Sequence, residues 1–378
     1  MFRPTQAFLG ADIHDGETLH ARQMLIADAG GQVAVVPQAP LPDDCALTRL
    51  EGGTILPGYV DLQVNGGGGV MFNDAPTVET LNQIASAHAA LGTRALLPTL
   101  ITDTADQTKA AIATVQQAMA MPCAGIIGLH LEGPHLDPSR KGAHDGNLIR
   151  PMQDSDLNML VQAAGRIANL MVTLAPENVT LDQIKTLAEA GVIVSLGHTD
   201  ANYDTCMAAF DAGASCATHL FNAMSQMTNR APGLVGAVLD RDDVFAGVIA
   251  DGIHVHPATL RMALRAKQRG DRIFAVTDAM ATAGSDKDQF LLNGREIRRD
   301  DNRLTLADGT LAGAHLDLTR AIAVLSSSAG DSLETAIARA TAWPAAALRD
   351  AGHWGRLGAG LQNLIYLRDA TAQPVGLV

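Results

Sequence analysis

Short apolar segments recur along most of the chain, and most of them are followed by a stretch with helical periodicity. Short, largely apolar runs of this kind are typical of strands buried on both faces of a parallel sheet. The runs predict eight strands, at residues 59–64, 95–100, 125–131, 170–174, 192–196, 216–220, 245–249 and 273–277. Helical patterns between them include residues 78–91, 105–119, 181–189 and 258–267. We therefore expect a chain in which strands and helices alternate.

This alternation predicts an α/β fold, a (β/α)8 TIM-like barrel, over residues 56–350. An open, doubly wound sheet is the alternative. We favour the barrel because it brings the carboxyl ends of the third, fifth, sixth and eighth strands to one place. Ionisable residues follow each of those four strands, as described below.

The two ends of the chain do not follow the barrel pattern. In residues 1–55, short apolar runs are interrupted by Gly30-Gly31 and by several prolines, as is typical of a small β unit. Strand-like residues 363–367 lie near the other end. We predict that residues 1–55 and 351–378 together form a small β-sandwich domain beside the barrel.

Composition and charge narrow the range of functions. The chain has 378 residues, of which 47% are hydrophobic, enough for one large core and a smaller unit. Its net charge of −13, without a basic block, argues against nucleic acid or an anionic membrane as a partner. No apolar run approaches the roughly 18 residues of a membrane span. The cysteines at 45, 123, 206 and 216 lack CxxC spacing. We expect a soluble, cytoplasmic protein with reduced thiols.

Three predicted strands end in residues that bind metals. The third delivers Glu132, which Gly133-Pro134 follows at once, and the fifth and sixth deliver His198 and His219. A single histidine in such a position is more often a hydrogen-bonded structural residue than a ligand. One carboxylate and two imidazoles at neighbouring strand ends are a ligand set for a divalent metal such as zinc. The sequence therefore predicts a metal site at this end of the barrel.

The eighth strand ends in Asp278. A lone carboxylate at the end of an apolar strand needs a partner, and a water activated by the metal is a suitable one. The alternative is that Asp278 caps the following helix. The glycines at 66–69 lack the Lys-Ser/Thr of a phosphate-binding loop, so we interpret them as a tight turn after the first strand.

Several motifs around these residues occur in the order known from one enzyme family. They are PGYVDLQVNG at 57–66, HLEGP at 130–134, KGAH at 141–144, SLGHT at 195–199, THLFNAM at 218–224, RAPGL at 230–234, ADGIH at 250–254, VTDA at 276–279 and LAG at 311–313. Each motif is modest alone, but together they are specific. By these motifs the chain resembles the N-acetylglucosamine-6-phosphate deacetylases, a family of the metal-dependent amidohydrolase superfamily.

The resemblance implies a role for each motif residue. Glu132, His198 and His219 would hold one catalytic divalent metal ion per subunit, with zinc as the expected ion, and Asp278 would be the general acid and base. Gln63 and Asn65 stand where other members of the superfamily carry a metal-binding histidine pair, so they would mark a vestigial second-metal position. The substrate-binding residues implied are Ala143, His144, Asn222, Ala223, Arg230, Asp251, His254, Leu311, Ala312 and Gly313.

The implied reaction is hydrolysis of the acetamido group of N-acetyl-D-glucosamine 6-phosphate to D-glucosamine 6-phosphate and acetate. The resemblance also implies a homodimer in which Arg230 reaches the neighbouring active site. Two alternatives remain open at this point. Another amidohydrolase activity, on a cyclic amide or in deamination, normally needs the histidine pair that Gln63 and Asn65 replace. A phosphosugar-binding protein without catalysis would have no need of Asp278.

Overall fold

The computed structural model describes residues 2–121, 125–369 and 371–375, and seven short strands come first in the chain. A four-stranded sheet has the order β5-β4-β1-β6, and a second sheet pairs β2 with both β3 and β7. The seven strands are β1 (Pro4–Leu9), β2 (Asp12–His14), β3 (Leu19–His20), β4 (Gln23–Asp28), β5 (Val33–Pro37), β6 (Ala46–Arg49) and β7 (Thr54–Pro57).

An eight-stranded parallel sheet follows, and its strands are almost entirely buried, as their apolar sequences predict. Its strands are β8 (Tyr59–Val64), β11 (Thr93–Ile101), β12 (Leu129–Glu132), β13 (Leu170–Leu174), β14 (Ile193–Leu196), β15 (Cys216–Ala217), β16 (Phe245–Ile249) and β17 (Ile273–Val276). A two-residue pair, β9 (Gly66–Gly67) and β10 (Val70–Met71), lies after β8.

The first and last of these strands meet, so the sheet closes into a barrel. A backbone bridge joins Val64 to Ala279, and the amide of Asp278 donates to the carbonyl of Gln63 at 3.0 Å. The fold is therefore the predicted (β/α)8 barrel and not the open sheet.

Two barrel strands are three residues shorter than predicted. β12 begins at Leu129 because the preceding residues make only an isolated bridge, between Leu96 and Ile126. β15 ends at Ala217 and not at residue 220, because His219 takes a left-handed backbone with φ of 32°, which an extended strand cannot contain.

Helices follow the strands, and several begin at a capping side chain that accepts a backbone N–H, as Thr77, Thr104, Thr180 and Asn202 do. The helices are α1 (Val78–Ala90), α2 (Ala105–Met119), α3 (Asp154–Ala164), α4 (Leu181–Glu189), α5 (Tyr203–Asp211), α6 (Gly233–Asp240), α7 (Pro257–Ala266), α8 (Leu318–Val324), α9 (Leu333–Ala340) and α10 (Ala342–Ala346). No helix in the described part of the chain is both long and apolar enough to cross a membrane.

A three-stranded antiparallel sheet that the sequence did not predict is inserted between β17 and α8. It consists of β18 (Gln289–Leu292), β19 (Arg295–Asp300) and β20 (Arg303–Thr305). Its strands are short and half-exposed, and β19 consists mostly of charged residues, so the insertion lacks the longer apolar runs that marked the barrel strands. Leu292, Ile297 and Leu304 pack against residues beside the barrel mouth, including Met71 and Met280.

The last two strands return to the β unit at the start of the chain. β21 (Leu364–Arg368) pairs antiparallel with β7 and with β22 (Thr371–Pro374). Leu364 and Tyr366 share a core with Phe8 and Leu25 from the other sheet. Both chain ends thus contribute to one β-sandwich, as predicted. Cys45, Cys206 and Cys216 are free thiols, and Cys123 lies outside the described residues.

Candidate active site and metal centre

The barrel brings Glu132, His198 and His219 into direct contact at its carboxyl end. Glu132 Oε1 lies 3.0 Å from Nε2 of each histidine, and the two Nε2 atoms lie 3.1 Å apart. All three side chains are buried. Three ligand-type atoms therefore form a nearly equilateral triangle from three separate strands.

The chemistry of these donors fits a divalent cation. His198 Nδ1 lies 2.8 Å from the carbonyl oxygen of Arg140, which can only accept a hydrogen bond. Nδ1 therefore carries a proton, so Nε2 is the ring nitrogen that can give a lone pair to a cation bound at the centre of the triangle. Nitrogen and oxygen ligands at about 2.0–2.2 Å from a tetrahedral zinc ion would lie about 3.3 Å from one another, close to the spacing observed.

The charge state of Glu132 agrees with this fit. Burial acts to raise its pKa, but hydrogen bonds from the rings of His198 and His219 hold the pKa well below its usual range. Glu132 is therefore an ionised carboxylate. A buried negative charge with two imidazoles around it is the arrangement that a bound cation stabilises.

Two of these ligand-type residues and Asp278 have backbone angles that L-residues seldom adopt. The φ angles are 48° at His198, 32° at His219 and 51° at Asp278. Each of the three follows its strand by two residues. Left-handed backbone at non-glycine residues costs energy and concentrates at functional sites, so this common turn is an indication of function in itself.

Asp278 lies beside the triangle and is held by two amide side chains from the first barrel strand. Its Oδ1 accepts hydrogen bonds from Asn65 Nδ2 at 2.6 Å and from Gln63 Nε2 at 3.1 Å. Burial, and then the nearby Glu132 carboxylate, raise the pKa of Asp278 to about 6. A carboxyl group whose pKa is raised toward neutrality is suited to accept and return a proton.

Gln63 and Asn65 act as hydrogen-bond donors in this arrangement. The Gln63 amide nitrogen also reaches Glu132 Oε2 at 3.3 Å, so it bridges the two carboxylates. An amide nitrogen that donates to a carboxylate has no lone pair to offer a metal. The space between Glu132 and Asp278 is thus spanned by N–H groups.

A cavity of about 370 Å³ opens above these residues, a volume typical of small-molecule sites. Most residues that the sequence singled out line it, and it also contains several that the sequence did not indicate, such as Ile101, Met280 and Thr310. The lining residues from the sequence analysis are Asn65, Glu132, Ala143, His144, His198, His219, Asn222, Ala223, His254, Asp278, Leu311 and Gly313.

His144 and His254 enter the cavity from two loops, and each has a partner. His144 Nδ1 lies 2.7 Å from Thr102 Oγ1, and burial followed by the neighbouring His198 lowers its pKa well below the usual range. His254 Nδ1 lies 2.6 Å from Asp251 Oδ2, so its Nε2 is left for other contacts. Asp251 is therefore behind the cavity wall, where it orients His254.

Three other residues from the sequence analysis are not in the wall of this cavity. Gln63 lies beneath it, in contact with Glu132 and Asp278, and Ala312 is buried in the small core beside the barrel mouth. Arg230 is exposed on a turn that Thr228 and Ala231 close through three hydrogen bonds, one between backbone groups and two that involve the Thr228 hydroxyl. The structure does not bring Arg230 into the cavity of its own chain.

Arg140 is the main residue that the sequence analysis missed. Its carbonyl accepts a hydrogen bond from the ring of His198, the residue lines the cavity, and its guanidinium pairs with Asp200 at 2.6 Å. Arg140 directly precedes the KGAH motif, and this position was the available signal.

Comparisons with known proteins identify the family. Residues 54–362 match the amidohydrolase family. Over 297 residues, 79% of this chain and 75% of the relative, the chain is 41% identical to the N-acetylgalactosamine-6-phosphate deacetylase of Shewanella sp. (strain ANA-3). It is 37% identical to the N-acetylglucosamine-6-phosphate deacetylase of Haemophilus influenzae, over 76% of this chain and 75% of the relative.

A solved structure is similar over nearly the whole chain. The N-acetylglucosamine-6-phosphate deacetylase of Pasteurella multocida superposes with a TM-score of 0.91 at 34% identity, covering 97% of this chain and 96% of that one. Barrel, site and similarity agree: the chain is a hydrolase that belongs to the amidohydrolase family, in the group formed by the N-acetylglucosamine- and N-acetylgalactosamine-6-phosphate deacetylases.

Proposed function

We propose that this protein hydrolyses the acetamido group of N-acetyl-D-glucosamine 6-phosphate, giving D-glucosamine 6-phosphate and acetate. The observation that carries the proposal is a proton-accepting carboxylate, Asp278, beside a buried carboxylate–imidazole triad in one cavity. Relatives that share the family and the fold are named for this reaction. No observation favours a cyclic-amide hydrolase, a deaminase or a protein that only binds.

The proposed metal ligands are Glu132, His198 and His219, and zinc is the ion that we propose. A divalent ion bound there supplies Lewis acidity to the amide carbonyl and makes water a stronger nucleophile near neutral pH. We propose one ion per chain, because Gln63 and Asn65 direct N–H groups to the carboxylates where a second ion would need lone pairs.

Asp278 is the proposed general base and then general acid. Its Oδ1 is occupied by the amides of Gln63 and Asn65, which leaves Oδ2 to take a proton from the attacking water. The same oxygen returns the proton to the departing amine. Since the pKa of Asp278 lies at about 6, the carboxylate form prevails at neutral pH and the acid form is accessible during turnover.

The remaining wall of the cavity is the proposed sugar and phosphate site. His144, buried against His198, is the proposed contact to the amide or sugar, and His254, oriented by Asp251, to the phosphate end. The proposed sugar and phosphate site is completed by Ala143, Asn222, Ala223 and the 311–313 segment. We propose a homodimer in which Arg230, which is exposed and lies outside the cavity of its own chain, reaches the partner's phosphate site. We also propose a division into the 56–350 barrel and a β domain of residues 1–55 and 351–378, and a cytoplasmic location.

A second candidate substrate is N-acetyl-D-galactosamine 6-phosphate, because the relative at 41% identity is named for it. The two substrates are epimers at one hydroxyl, so their hydrolysis has to be compared directly. The test is acetate release from both phosphates, from unphosphorylated N-acetylglucosamine and from a hydantoin. We expect one or both phosphates to be hydrolysed far faster than the other two compounds. Preferential hydrolysis of the hydantoin, or no hydrolysis of either phosphate, would refute the proposal.

A further inference from the structure

The seam between β8 and β17 contains a buried carboxylate that the proposed reaction does not use. Asp61 lies on β8, two and four residues before Gln63 and Asn65 and therefore on the same face. Its side chain is fully buried inside the barrel. Among the described residues it has no cationic partner. Burying an ionisable group in this way is costly, and an apolar residue would fill the barrel at lower cost. Asp61 therefore calls for an explanation other than packing.

Two of its three hydrogen bonds go to Thr277, the residue that precedes Asp278. Asp61 Oδ2 accepts the hydroxyl of Thr277 at 2.5 Å, and Oδ1 accepts the amide of Thr277 at 3.2 Å. The amide of Gln63 donates to the same Oδ1 at 3.2 Å. One carboxylate thus ties the strand that carries Gln63 and Asn65 to the residue that precedes Asp278.

The Thr277 hydroxyl also binds the residue that follows Asp278. It accepts a hydrogen bond from the amide of Ala279 at 3.2 Å, while the amide of Asp278 itself donates to the carbonyl of Gln63. Three consecutive amides, at residues 277, 278 and 279, are therefore fixed by groups of the seam. Asp278, between them, has φ of 51°. A left-handed aspartate persists only where its surroundings hold it in place, and these bonds do so.

We propose that Asp61 and Thr277 form a positioning pair that holds Asp278 at the left-handed angle needed to reach the substrate. The pair acts through the backbone and does not touch the substrate: both side chains are fully buried, beneath the cavity. This inference rests on the proposed role of Asp278 as the proton-transfer group.

The hydroxyl of Thr277 offers a clean test. Thr277→Val keeps the shape of the side chain but removes all the hydrogen bonds of the hydroxyl, to Asp61, to the carbonyl of Gln63 and from the amide of Ala279. Thr277→Ser keeps the hydroxyl. Thr319→Val is a matched control. The buried Thr319 hydroxyl forms a hydrogen bond of 3.0 Å with the hydroxyl of Tyr59, the first residue of β8. For each variant, kcat and KM for the phosphorylated sugar, metal content and Tm are measured.

We expect Thr277→Val to lower kcat by roughly tenfold to a hundredfold, the cost of displacing a catalytic group by up to about 1 Å, with little change in KM or metal content. Thr277→Ser should restore most of kcat. Thr319→Val should lower Tm without lowering kcat. If Thr277→Val does not fold, Asp61→Asn decides, since its amide can still accept from the Thr277 N–H but no longer from the hydroxyl. Asp61→Asn should lower kcat with metal content intact.

Wild-type kcat in Thr277→Val, or in Asp61→Asn when it is the deciding variant, would overturn the inference. So would a loss of kcat that parallels a loss of metal, or an equal loss of kcat in Thr319→Val. These outcomes differ from failure of the proposed function, in which the wild-type protein itself releases no acetate from either sugar phosphate; the inference would then fail with it.

Discussion

Replacing Asp278 by asparagine removes the proposed proton acceptor with almost no change in shape. An asparagine Oδ1 in the position of Asp278 Oδ1 would still accept the hydrogen bonds from Asn65 and Gln63. The side-chain NH2 would then occupy the position of Oδ2, where it cannot accept a proton. We therefore expect the variant to fold normally, to retain its metal and to bind substrate with a similar KM.

The expected loss is in kcat alone. General acid–base groups contribute roughly 10²- to 10⁴-fold to turnover, which corresponds to about 2.7–5.4 kcal/mol of transition-state stabilisation. Because the proposed role has Asp278 act twice, on the water and then on the amine, we expect a loss toward the upper end of this range. Acetate release under saturating substrate measures kcat, and elemental analysis of the same sample measures metal content.

A matched control is Asp156→Asn, since Asp156 is also buried but pairs with Arg150 outside the cavity. That variant should lose stability and keep kcat. Loss of the metal together with activity in Asp278→Asn would make Asp278 a ligand. A variant with wild-type turnover would refute the proposed proton transfer altogether.

Three further predictions follow from the same geometry. Protein purified without chelator should contain about one equivalent of divalent metal, the number expected for one catalytic site; two equivalents at full activity would contradict the donor role of Gln63 and Asn65. Arg230→Ala should raise KM for the phosphorylated sugar and barely change KM for the unphosphorylated one. Mixing Arg230→Ala subunits with Asp278→Asn subunits should restore part of the activity, since one site of a mixed dimer is intact. No recovery after proven subunit exchange would exclude a role of Arg230 across the interface. Burial acts to raise the pKa of Asp156, but the hydrogen bond from Arg150 lowers it overall. The Tm of the wild type should therefore exceed that of Asp156→Asn by its full amount above a pH of about 3.9, the pKa of an aspartate in the unfolded chain, and this difference should vanish as the pH falls through the lower pKa of the folded protein. A Tm difference that stays constant in acid would contradict this linkage.

The strands could be predicted from sequence where burial is complete. β8, β13 and β16 occupy the predicted residues because a strand buried on both faces is largely apolar and is bounded by polar residues or glycine. The insertion β18–β20 was missed because its half-exposed strands span only three to six residues and β19 consists mostly of charged residues.

The sequence by itself determined the residue types at the strand ends and, through its motifs, the family. Parallel strands in a barrel bring their carboxyl ends together, so the sequence could assign four strand-end residues to one site. These are Glu132, His198, His219 and Asp278. The tertiary structure alone decided how these groups meet: ligand atoms 3.0–3.1 Å apart, and amide donors of Gln63 directed at two carboxylates. The partnership of Asp61 with Thr277 spans 216 residues of chain. No local pattern contains such a pair, because it exists only once the first and last strands of the barrel are side by side.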